Sequence, residues 1–172
     1  RVLRMGLPRR TRPAGGAADA DFVASPDYEH AWIHPAHLEV GHDEVLSEPV
    51  LKLLARVPGM PSADMVAALR GEVDHLADLT YSTTDGLIEF AARGVTKASG
   101  LSRIAAGTAA GAAVPSDAVP VTVAFGDMPN DLEMLRWADH GVAMGNAIPS
   151  VHAAADEVTL TGIAQVLRRW WG

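Results

Sequence analysis

The stretch VTVAFGDMPNDLEML, residues 121–135, limits what this chain can fold into more than any other part of it. VTVAF is a nearly continuous apolar run of strand length, the pattern of a strand buried on both faces in a parallel sheet. Gly126 follows and lets the chain turn sharply. Asp127 then projects from the strand tip, while Asn130 and Asp131 open a helix expected over 130–138. In open parallel sheets, ligands gather outside the carboxyl ends of the strands, where loops and helix N-termini converge. A carboxylate at that point is a hard oxygen ligand suited to Mg2+, which takes one or two protein carboxylates together with phosphate and water oxygens. A Gly-Asp pair taken alone is equally consistent with Asp127 capping a turn and Asp131 offsetting the helix dipole.

Strand and helix alternate on both sides of this segment. A helix is expected over 96–106, then an Ala/Gly/Pro-rich connection to Pro120, with Val121 to Phe125 as a central strand. Short strands fit 141–144 and 157–160, with a helix near 150–155 between them. The last helix carries Ile163, Val166, Leu167, Trp170 and Trp171 at i, i+3, i+4, i+7 and i+8, which places them on one apolar face. This order predicts an α/β fold with a parallel sheet. The first half reads differently. A strand over 50–55 is followed by a helix for which Ser62 is the candidate cap and Val66, Leu69, Val73 and Leu76 the apolar positions. Two strands over 80–84 and 86–90 then flank the Asp85-Gly86 turn signal, giving a separate small α+β unit. Residues 8–20, with two prolines and Gly15-Gly16, read as a loop, and 28–42 as irregular with one short strand.

Composition narrows the function classes. The chain has 172 residues, no cysteine, 48% apolar and 20% charged residues, so it can bury a core but cannot build a disulfide framework or a thiolate site. The longest weakly apolar stretch, 105–114, is far short of the ~18 residues a membrane-spanning helix needs. The formal charge is −7, yet five of the 14 basic residues (Arg1, Arg4, Arg9, Arg10, Arg12) fall in the first twelve positions, which hold no acid. Without interleaved aromatics this basic head reads as a solvated linker, and no nucleic-acid partner is expected.

The GDMPND segment, together with GVAMGNA (141–147), AADEVTL (154–160) and GVTKASGL (94–101), resembles the haloacid dehalogenase superfamily, in particular its Cof-type phosphatases. VLKLLARVP (50–58) and DGLIEF (85–90) resemble strands of the cap of that branch. The likeness covers roughly 50–172. It implies a Rossmann-like parallel-sheet core with an α+β cap: 1–27 as a basic, Gly/Pro-rich linker or partial segment, 28–90 as cap, whole or partial, and 91–172 as the carboxyl-terminal half of the core. It further implies a Mg2+-dependent phosphatase acting on a small phosphorylated metabolite through an aspartyl-phosphate intermediate, in a soluble cytoplasmic protein with no membrane partner. Carried over by position, Asp127 matches the metal ligand and Asn130 a phosphate-orienting amide. Asp131 matches a carboxylate bracing the lysine or the metal shell and stands with Asp127 as a candidate metal ligand, and Lys97 matches the lysine that neutralises the transferring phosphoryl group. An acidic protein must meet a phosphate dianion with local positive charge, and one Mg2+ plus one lysine supplies it.

The family's first motif, a buried strand ending in two aspartates, is not found. Asp19 and Asp21 have the spacing but follow a Gly-rich stretch. The expectation is therefore a carboxyl-terminal part of a longer phosphatase, with its nucleophile outside this sequence, leaving the strand over 121–125 with an unpaired edge. The alternative is a catalytically inactive binding or regulatory module. His30, His34, His37 and His42 are read as surface histidines rather than a metal set, because Pro35 prevents His30 and His34 from sharing a helix face.

Overall fold

The computed structural model describes residues 2–5, 22–26, 28, 37–47, 49–111, 121–160 and 162–171. The chain divides into two compact units, Arg1–Arg93 and Gly94–Gly172.

The first unit is a mixed, mostly antiparallel six-stranded sheet. Its strands are β1 (Val2–Met5), β2 (Phe22–Ala24), β3 (His37–Glu39), β4 (Lys52–Arg56), β5 (Ala77–Thr80) and β6 (Leu87–Ala92), in the order β3-β2-β1-β4-β6-β5. Among the described residues of this unit only β2 and β3 pair parallel; β4 pairs antiparallel with both β1 and β6. A short helix, α1 (His42–Val45), follows β3, and α2 (Ser62–Val73) links β4 to β5. The period of two in β6 explains how the sheet is covered. Ile88 and Phe90 point to the side where Met65, Val66 and Leu69 of α2 pack, while Leu87 joins Ala24, Tyr28 and Leu54 on the opposite face. On that second face the Lys52 ammonium donates to Glu89 at 2.6 Å, and the Ser82 hydroxyl donates to the same carboxylate at 2.7 Å.

Four expectations for this unit need correction. The linker assigned to 1–27 contains β1 and β2, and β1 sits inside the sheet between β2 and β4. Its arginine-rich composition hides a short Val-Leu-Arg-Met strand. Ser62 does not cap α2, whose N-cap is Pro61; its buried hydroxyl instead accepts the Gly86 and Leu87 N–H groups, both at 3.1 Å, tying the helix start to the start of β6. Leu76 lies beyond the end of α2 and is 67% exposed. The first strand of the hairpin runs over Ala77–Thr80 rather than 80–84, and most of the expected strand is the connecting loop. At the end of that loop Gly86 has φ +82, and a Cβ there would lie 2.2 Å from the Val57 carbonyl oxygen, so the turn accepts only glycine. The loop expected over 8–20 lies outside the described residues.

The second unit has the expected α/β order and a parallel sheet of three strands, β7 (Val123–Gly126), β8 (His140–Met144) and β9 (Glu157–Thr159), in sequential order. Between them lie α4 (Leu132–Trp137) and α5 (Pro149–His152), with α3 (Lys97–Gly111) before β7 and α6 (Ile163–Trp171) after β9. Helix α4 packs on β7 and β8 and beside α3. Small residues permit this close layering: Ala124 and Ala143 on the strands meet Leu135 and Val151, and a Cβ on Gly141 would lie 2.5 Å from the Leu135 carbonyl oxygen. Among the described residues β7 pairs only with β8, so it is an edge strand here and not the central one. The pairing is parallel, as expected. On α6 Val166 is buried but Ile163 is 43% exposed, so the apolar face is narrower than its spacing implied. The side chains of Trp170 and Trp171 lie outside the description.

The entry to β7 is stapled to the turn before β8. Thr122 donates to the Asp139 carboxylate from its N–H at 2.8 Å and from its hydroxyl at 2.7 Å, and the Asp139 N–H returns a bond to Thr122 Oγ1 at 2.9 Å. These donors hold the Asp139 carboxyl below the ordinary aspartate range. A depressed carboxylate pKa contributes stability that is present above the unfolded-state value and lost as pH falls through the folded-state value. Asp139→Ala should therefore lower the thermal midpoint at neutral pH and converge with the parent as pH falls below the ordinary aspartate range. A thermal-melt series from pH 7 to pH 2.5 checks this; a gap independent of pH would contradict it.

Candidate functional site

The site is built where β7 ends. Gly126 closes the strand, and a 3-10 turn over Pro129–Asp131 leads directly into α4. That tight return brings Asp131 back under the strand tip. Its side chain is 6% exposed, and Oδ2 accepts the N–H groups of Asp127 at 3.0 Å and Met128 at 3.2 Å. A Cβ on Gly126 would lie 2.4 Å from the Asp131 Cβ, so the absence of a side chain at 126 is what lets the carboxylate enter. The other oxygen, Oδ1, is paired with the Lys97 ammonium. A buried carboxylate without such partners would be strongly penalised; here two amides and a cation share its charge.

Lys97 is delivered by the first turn of α3. Thr96 and Ser99 cap that helix reciprocally: the Ser99 N–H donates to Thr96 Oγ1 at 3.1 Å and the Thr96 N–H donates to Ser99 Oγ at 2.9 Å. A lysine in the first turn opposes the helix dipole, and no acidic residue of that turn offsets it. Asp131 supplies the compensation from a different element. The Lys97 side chain stays 47% exposed, so its ammonium is held yet open on one side.

The third contribution comes from the loop after β8. Asn146 Nδ2 donates to Asp127 Oδ2 at 3.0 Å, and the Ile148 N–H donates to the Asp127 carbonyl at 3.3 Å. Among the described residues Oδ1 of Asp127 receives no hydrogen bond. Asn130 Oδ1 is buried and also without a partner, an open hydrogen-bonding position beside the same turn.

The fold thus brings all four residues singled out from the sequence into one unit, on the turn that follows β7 and on α3. Asp127 and Asn130 keep unused polar atoms, whereas both oxygens of Asp131 are already engaged. Asn146 was not singled out. Its signal was the GVAMGNA block itself, where a Gly-Asn pair after an apolar strand marks a turn at the same sheet end as Asp127. An oxygen-only set of one free carboxylate oxygen suits Mg2+, a hard cation that completes its shell with water and phosphate. Among the described residues no group of three or more His, Asp or Glu is assembled as a metal site. His42 belongs to no such set, and the side chain of His37 together with residues His30, His34, Asp19 and Asp21 lies outside the description.

The parallel sheet with its helices, an aspartate at a strand tip, a buried second aspartate four residues on and a lysine from the preceding helix place this unit in the α/β class. Comparison with known proteins makes the assignment specific: a family model for haloacid dehalogenase-like hydrolases matches residues 18–167, and the chain belongs to that family. It is 39% identical over 89 residues to 5-amino-6-(5-phospho-D-ribitylamino)uracil phosphatase YitU of Bacillus subtilis (strain 168), a match covering 49% of this chain and 30% of that protein. It is likewise 39% identical over 54 residues to the HMP-PP phosphatase of Serratia proteamaculans (strain 568), covering 28% of this chain and 20% of the relative. Among solved structures, the subclass IIB sugar phosphatase BT4131 superposes with a TM-score of 0.62 at 25% identity, over 77% of this chain and 48% of that one. SMU.1108c from Streptococcus mutans UA159 gives a TM-score of 0.71 at 22% identity over 99% of this chain and 60% of its own, a likeness of fold. The chain therefore spans about a third or less of the length of these curated relatives.

The dependence of the site on a missing side chain is testable. Gly126→Ala should force Asp131 out of its position and cost about 1–3 kcal/mol, the range for overpacking a tight site. Gly100→Ala, on α3 with open space around its Cβ position, should stabilise by about 0.5–1 kcal/mol. Urea denaturation of both variants measures the contrast, and equal effects would contradict it.

Proposed function

We propose that this chain belongs to a Mg2+-dependent phosphomonoesterase acting on a small phosphorylated metabolite. In this reading Gly94–Gly172 forms half of the hydrolase core and the residues before it belong to the cap. The observation that carries it is the strand-tip arrangement: Asp127 with a free oxygen, beside a half-exposed Lys97 held by Asp131. The phosphatase names of the relatives, which include enzymes named for a phosphoribitylamino-uracil and for HMP-PP, support the reaction class and the size of the substrate.

Each group has a distinct task. Asp127 would hold the cation through Oδ1, and the bound Mg2+ would neutralise phosphate charge and polarise its oxygens. Lys97 would face the same phosphoryl group with a fixed ammonium, stabilising the charge spread over its oxygens as the bond to the leaving group weakens. Asn130, with an unused amide atom at the start of the helix, would orient a phosphate oxygen. Asp131 would take no part in bonding substrate; it holds Lys97 and the Asp127 and Met128 amides in place. The nucleophilic carboxylate of an aspartyl-phosphate route is not among these residues.

The test uses the full-length protein with a generic aryl phosphate. Asp127→Asn should reduce Mg2+-dependent turnover by about a hundredfold or more while leaving the thermal midpoint nearly unchanged, because the substitution keeps the side-chain shape and an amide oxygen to accept from Asn146 but removes the charge and one acceptor oxygen. Turnover with the same Mg2+ dependence in parent and variant would overturn the assignment. Phosphate binding without turnover in the parent would favour the inactive binding module.

A further inference from the structure

We infer that Asn146 is a positioning residue that selects which oxygen of Asp127 faces the divalent cation, an inference that rests on the reading of Asp127 as the cation ligand. Asn146 sits in the turn Met144-Gly145-Asn146-Ala147, closed by the Ala147 N–H donating to the Met144 carbonyl at 2.9 Å. That turn is pinned on several sides. A Cβ on Gly145 would lie 3.1 Å from both the Thr159 carbonyl oxygen and Leu160 Cδ2, so the turn is pressed closely against the end of β9. His152, at the end of α5, places Nε2 3.0 Å from the Met144 carbonyl. The Ile148 N–H reaches back to the Asp127 carbonyl at 3.3 Å.

The Asn146 amide is therefore offered to Asp127 from a rigid frame, although its own side chain is exposed. An ionised aspartate only accepts hydrogen bonds, so the amide nitrogen must be the group that faces it. With Oδ2 bonded to that N–H, rotation of the carboxylate is restricted and Oδ1 is the oxygen left without a hydrogen bond among the described residues. Mg2+ demands near-ideal octahedral geometry with short bonds, so a carboxylate restricted to one oxygen is pre-arranged for it, whereas a freely rotating one must be ordered on binding. A neutral amide serves better than a second carboxylate would, because it orients Asp127 without adding a negative charge that repels the phosphate.

Outer-shell partners of metal ligands of this kind are worth roughly 10–100-fold in metal affinity. Two variants separate the donor from the volume: Asn146→Ala removes both, and Asn146→Leu keeps the bulk without an N–H. In the full-length protein, titrated with Mg2+ by calorimetry and with Mn2+ by water-proton relaxation, both should raise the dissociation constant about tenfold. The Mg2+ concentration giving half-maximal aryl phosphate turnover should rise by the same factor. Dissociation constants within about twofold of the parent in both variants, alongside loss of binding in Asp127→Asn, would overturn the role of Asn146 and leave that of Asp127 standing. A parent protein that binds neither cation would defeat the reading of Asp127 and this inference with it.

Discussion

The buried carboxylate of Asp131 is the interaction on which the second unit depends. It accepts from two successive backbone amides at the strand tip and pairs with an ammonium from another helix, so one side chain fixes three segments at once. Buried charge is tolerated only when it is satisfied in this way, and the satisfaction is mutual. The two amides need an acceptor where the strand ends, and Lys97 needs a counter-charge in the first turn of α3. Gly126 is the permissive condition for all of it, since a methyl group there would occupy the place of Asp131.

From that hub the division of labour between the two aspartates follows. They lie four residues apart on one turn and would be equivalent ligands by type, yet their surroundings separate them. Asp131 is enclosed with both oxygens bonded, and Asp127 stands at the tip with one oxygen bonded to Asn146 and the other open. The expectation that both ligate a metal is therefore narrowed in the proposed mechanism to Asp127, with Asp131 as the brace that keeps the lysine and the turn in register. In that proposed mechanism the cation and the ammonium would provide local positive charge in a chain whose formal charge is −7.

How much of this could be read from the residues depends on the range of the forces involved. The segment from Val123 to Leu135 was legible because strand, glycine, carboxylate and helix follow each other locally, each with its own periodic or turn signal. The bond from Lys97 to Asp131 joins residues far apart in sequence, and only the family resemblance brought them together. Asn146 was missed because its role is a single contact between loops at the ends of β7 and β8, which no spacing rule encodes. In the first unit the errors have a common origin. Ser62 looked like a helix cap because serine at a helix start usually bonds its own helix; here tertiary contact with β6 claims the hydroxyl. Likewise the Asp85-Gly86 signal correctly marked a turn, but the strand before it ends at Thr80, since pairing with β6 sets the register and the polar Ser-Thr-Thr run stays in the loop. β1 was hidden by neighbouring arginines, because a four-residue strand inside a charged stretch has no periodic signature of its own.

The most direct test is a crystal structure of the full-length protein with Mg2+ and a phosphate-mimicking beryllium or aluminium fluoride. The account predicts the cation on Asp127 Oδ1, the Lys97 ammonium against the fluoride group, and Asp131 still bonded to the Asp127 and Met128 amides and away from the metal. A cation coordinated by Asp131 with Lys97 displaced, or one that bypasses Asp127, would contradict it.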